Sequence, residues 1–200
     1  GNGHDYRWYD YLGFHLASWG YVVMSHRNDT VPGTVTAAIT TRENTDIFLR
    51  DLDTMGDGFL SGKVDSSNMT WIGHSRGGEG VVLAYDDLLE GDATAFNYTW
   101  EDVQIVSSIA PVIFEGPEEA DPHGVTYHLI AGSSDGDVTG GPNSSGSQYF
   151  RIFKNIAGDI CKLHSNPKID RKALRTGVFA IKNPAHHETN SPSNGMAVSE

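Results

Sequence analysis

Residues 71 to 80 read Trp71-Ile72-Gly73-His74-Ser75-Arg76-Gly77-Gly78-Glu79-Gly80. A serine thus has a glycine two residues away on each side, follows an apolar run and precedes a helix-like one. A serine hydroxyl is a weak nucleophile. It gains access to a base and a substrate when a strained strand-to-helix turn lifts it clear of the chain, and glycines at these two positions let the neighbouring backbone pass without clash. The following helix points its first N–H groups at the same place, where they favour negative charge on an attacked carbonyl oxygen. The chemistry indicated is acyl transfer through a covalent serine intermediate, which needs a histidine as base and a carboxylate to orient it.

These groups need a scaffold, and the chain supplies alternating patterns for one. Short, apolar, partly β-branched runs at residues 21–25, 69–73, 103–109, 125–131 and 177–181 read as buried strands. Between them Tyr9, Leu12, Leu16 and Trp19 recur at helical spacing, as do Ile47, Phe48, Leu52 and Met55, then Val81, Val82, Tyr85, Leu88 and Leu89. Tyr149, Phe150, Phe153 and Ile156 suggest one more helix. The alternation predicts an α/β fold with a mostly parallel sheet and helices on both faces. Such sheets bind ligands beyond the carboxyl ends of their strands. A serine (Ser75), then an acidic segment (Gly132-Ser133-Ser134-Asp135), then a histidine pair (His186-His187) fall there in that order.

Composition narrows the partners. Two hundred residues suit a single domain and bury about 70% of the unfolded surface. With 26 acidic against 14 basic residues the formal net charge is -12, which argues against nucleic acid and anionic membrane surfaces. No apolar run approaches the ~20 residues that span a bilayer. The lone cysteine, Cys161, excludes an internal disulfide and a cysteine-based zinc cluster. Acidity and abundant Gly, Ser, Thr and Asn fit a secreted or periplasmic enzyme, expected to be a monomer.

The order of serine, acid and histidine, each after its own strand, resembles the α/β-hydrolase superfamily. The closer likeness is to the cutinase-like polyester hydrolases and related secreted bacterial esterases, and it covers nearly all of residues 1–190. Residues 191–200 form a polar tail. Gly62-Lys63-Val64-Asp65 before Met69 is similar to the family's approach to its nucleophile, and Leu16-Ala17-Ser18-Trp19-Gly20-Tyr21-Val22-Val23 to its first helix and following strand. Gly132-Ser133-Ser134-Asp135-Gly136-Asp137-Val138 is similar to its G-x-x-D-x-x-V, which implies Asp135 as the acid and leaves Asp137 second. Register after the last strand implies His187 as the base ahead of His186, although Pro184 stands where the family commonly has glycine. Gly1-Asn2-Gly3-His4 is similar to the end of its oxyanion loop, implying the backbone N–H groups of Asn2 and Arg76 as oxyanion donors. The resemblance therefore expects a strand upstream of Gly1, seated between the strands at 21–25 and 69–73, and an N-terminally incomplete domain that is unstable, aggregated or inactive alone.

The reading expected is a serine hydrolase of carboxylic esters, with no cofactor and no metal. Amide or peptide hydrolysis by the same triad, and a catalytically silent binding protein, are the alternatives. Tyr6, Trp8 and His74 are candidates to line a substrate pocket. Glu79 reads as structural, favouring the start of its helix and within reach of Arg76 at i, i+3. Asp51, Asp53 and Asp57 hint at calcium, but their spacing does not fit a calcium-binding loop.

Overall fold

Three of the expected strands meet in one parallel sheet of order β1-β2-β3, with β1 at Met69–His74, β2 at Val103–Ile109 and β3 at Thr126–Ile130. The computed structural model describes residues 5–27, 33–115 and 119–130. The register places His74 opposite Ile109 and Ile109 opposite Ile130, so the carboxyl ends of the strands lie level. Pairing continues one step beyond them: the Ser75 N–H donates to Ile109 O at 3.0 Å and the Ala110 N–H to Ile130 O at 2.7 Å. The expected strand at 177–181 and the helix around Tyr149 lie outside the described residues.

One helix carries the packing. Helix α4 (Arg76–Glu90), which follows a short helix α1 (Asp10–Ser18), a long helix α2 (Thr34–Asp51) and a single turn α3 (Met55–Gly58), lies against β1 and β2. Alternation along β1 buries Met69, Trp71 and Gly73, and the first two join Val81, Val82, Tyr85 and Leu88 of α4 in the core. Helix α2 packs along α4 at close range, because a Cβ on Gly80 would fall 2.6 Å from the Ala37 Cβ. The absence of a side chain at Gly80 sets the spacing of this helix pair.

Helix α2 begins well before the apolar spacing of Ile47 and Phe48 indicates, and the reason is chemical. Its buried stripe is Thr34, Ala38, Thr41 and Thr45, three threonines and an alanine at helical spacing. Thr41 Oγ1 donates to Ala37 O at 2.8 Å and Thr45 Oγ1 to Thr41 O at 2.7 Å, which satisfies each hydroxyl inside its own helix. Trp71 Nε1 then donates to Thr45 Oγ1 at 3.2 Å. The helix stops at Asp51 instead of running to Met55, and Gly56 and Asp57 adopt left-handed backbone conformations.

Residues 21–25 do not form the expected strand. Val22 and Met24 line a groove of about 520 Å³ together with Thr70 and Ile72 of β1. A strand requires a ladder partner, and the sheet of the described residues consists of β1, β2 and β3 alone. β1 pairs with β2 alone among the described residues. No helix among those residues is long and apolar enough to cross a membrane.

Candidate active site

Ser75 occupies the single residue between β1 and α4 with φ 56° and ψ −122°. That conformation lies outside the regions a side-chain-bearing residue normally adopts, and it costs on the order of 1–3 kcal/mol unless its surroundings hold it. The surroundings do so through the main chain. The Ser75 N–H donates to the end of β2, while its carbonyl accepts from Gly78 N at 2.9 Å and from Val112 N at 3.3 Å. The turn is therefore fastened both to the first turn of α4 and to the loop after β2.

Gly73 makes the turn sterically possible. A Cβ there would stand 1.9 Å from the Gly77 carbonyl oxygen and 2.4 Å from its carbon, a backbone neighbour with no freedom to swing away. Gly78 has a similar role, since its Cβ would meet the Pro111 Cβ at 2.9 Å. The two glycines that flank the serine in the sequence thus pass directly over one another, as the spacing implied.

Glu79 is 2% exposed and turns away from the serine. Its carboxylate accepts from the N–H groups of Phe114 and Glu115, each at 2.8 Å. The Glu115 carboxylate accepts in turn from Thr34 Oγ1 at the start of α2. Glu79 is structural, as expected, but its carboxylate secures the loop after β2. Arg76, the i, i+3 neighbour considered for it, holds its guanidinium 5.5 Å from the centre of the Phe114 ring. Backbone N–H groups of a loop some 35 residues away leave no signal at the position of Glu79, so sequence spacing could not assign this contact.

Arg76 opens α4, so its backbone N–H sits at the positive end of the helix dipole, beside Ser75. On the other side of the serine, His74 Nδ1 lies 3.0 Å from the hydroxyl of Tyr9, which closes a one-turn helix at Tyr6–Tyr9. Burial pushes the Tyr9 phenol up from its ordinary value. Tyr6, Tyr9, His74 and Gly77 all line the groove beside β1, whereas Trp8 stands 62% exposed and does not. The structure therefore brings Tyr6 and His74 to one cavity, whose lining does not include Ser75, and leaves Trp8 outside it. Asp51 is engaged by Arg50 at 2.7 and 2.8 Å.

Asn2, Asp135, Asp137, His186 and His187 lie outside the described residues. Strand β3 ends at Ile130, level with the ends of β1 at His74 and β2 at Ile109. No family model, curated protein or solved structure matches this chain.

Proposed function

We propose that this chain is a serine hydrolase acting on carboxylic esters, built on an α/β-hydrolase fold. The observation that carries the reading is the backbone of Ser75. A non-glycine residue is held at φ 56° between a parallel strand and a helix, with the chain crossing itself at Gly73 and Gly77 to allow it. Strain of this kind persists only where the structure over-determines it, and exposure of a nucleophilic hydroxyl above a helix N-terminus is a use for it.

In this mechanism Ser75 Oγ attacks the ester carbonyl while His187 takes its proton, and Asp135 orients His187 and stabilises the imidazolium. The N–H groups of Arg76 and Asn2 bind the oxyanion. His187 returns the proton to the leaving alcohol, and water then releases the acyl group by the same steps, without a cofactor. Tyr6 and His74 line the approach.

A fluorophosphonate probe tests the reading. It should label the protein once, at Ser75, and fail on Ser75→Ala. Ester turnover by that variant should fall below about 1% of wild type, since loss of a triad member usually exceeds 10⁴-fold. His187→Ala and Asp135→Ala should be far more damaging than His186→Ala and Asp137→Ala. A folded protein that neither takes the probe nor hydrolyses esters would instead be a silent binding protein, and the proposal would fall.

A further inference from the structure

Away from Ser75, three potential metal ligands from two distant parts of the chain converge. Asp86 and Glu90 stand one turn apart on α4, and His123 comes from the turn before β3. His123 Nε2 contacts Asp86 Oδ1 and lies 3.9 Å from Glu90 Oε1. One ligand atom from each residue falls within 4.8 Å of the others. The loop is braced to present the imidazole: the His123 N–H donates to Asp121 Oδ1 at 2.8 Å, and the Asp121 N–H to Asp86 Oδ2 at 3.4 Å. Asp86 Oδ1 and the imidazole are thereby turned toward Glu90.

We propose that Asp86, Glu90 and His123 bind a divalent first-row transition ion of the zinc type. Ligand bonds of about 2.1 Å set tetrahedral ligand atoms about 3.4 Å apart, which these groups reach by small side-chain adjustments. Two carboxylates and an imidazole suit such an ion, whereas calcium and magnesium prefer larger, all-oxygen shells. The side chain of Asp86 is only 7% exposed, so its poorly hydrated carboxylate gains from a cation beside it. Glu90 and His123 are more open, at 56% and 27%, which leaves room for a water as the fourth ligand.

At about 1.5 Å rise per residue, Asp86 lies some 15 Å along α4 from its start beside Ser75. The ion is therefore a clamp between α4 and the lead-in to β3, outside the ester chemistry. Its presence does not depend on the hydrolase reading.

The test is zinc titration of the full chain after chelator treatment and dialysis, followed by calorimetry and thermal melts. One ion should bind per chain, and zinc at about a hundredfold over its Kd should raise Tm by about 5 °C or more. Glu90→Ala, at an exposed helix position where alanine is a good helix former, should keep the fold and weaken zinc at least about tenfold; His123→Gln should do the same. No heat and no Tm shift at about 0.1 mM zinc, or equal binding by wild type and both variants, would overturn the proposal. In the first case Asp86 and His123 form only a side-chain latch, and in the second the ion sits on other histidines.

Discussion

A single methyl group added at position 73 would place a carbon 1.9 Å from the Gly77 carbonyl oxygen. Nothing flexible stands there to yield, so Gly73→Ala must either pull β1 from α4 or unwind the first helical turn. We expect it to cost about 3 kcal/mol or more, with the urea midpoint falling accordingly and probe labelling of Ser75 lost together with it. Ser75→Ala removes only an oxygen and should leave the midpoint near wild type. The contrast separates the residue that shapes the turn from the one it displays. Both were legible in the sequence, because the demand that small residues flank a strained serine is local. The histidine beside the serine was legible as a candidate to line a pocket, though not what it bonds to. Its link to Tyr9, 65 residues away, required the fold.

Among the elements, α4 organises the described structure, and Glu79 shows how. Its carboxylate must accept two N–H groups at once, from Phe114 and Glu115. Glu79→Gln keeps one acceptor oxygen but turns an amide NH₂ toward the other N–H. Two donors then face each other in a buried place, at a cost of about 2–3 kcal/mol. A chemical melt should report that loss, and hydrogen exchange at Phe114 and Glu115 should accelerate. The strand runs at 69–73, 103–109 and 125–131 were readable because each is a short apolar segment of a buried parallel sheet. The N-terminal part of helix α2, ahead of Ile47 and Phe48, was not, since an apolar periodicity search passes over threonine. Thr34, Thr41 and Thr45 face inward because their hydroxyls find partners nearby, which makes them usable in the interior. The segment at 21–25 has the composition of a strand but pairs with none among the described residues.

For the whole molecule, acidification should be destabilising from near neutrality downward. Burial holds His26 and His128 below the ordinary imidazole value of 6.5. His26 Nδ1 has no hydrogen-bond partner among the described residues, and His128 Nδ1 lies 3.0 Å from Ser107 Oγ. The unfolded chain therefore takes up these protons first. Stability attributable to the two histidines is intact above 6.5 and falls as the pH drops through 6.5 toward their lowered folded values. Melting temperature followed from about pH 8 to about pH 5 should decline, and His128→Gln should flatten the decline. The burial of one aromatic residue also gives this molecule an optical channel of its own. Trp71 is 7% exposed, with its indole N–H tied to Thr45 and the edge of Tyr98 against it, while Trp8, Trp19 and Trp100 are 62%, 73% and 39% exposed. An indole in apolar surroundings emits at shorter wavelength and is shielded from ionic quenchers in water. Iodide would therefore dim three of the tryptophans and leave the blue emission of the fourth, a light that stays on while Thr45 of α2 remains seated against Trp71.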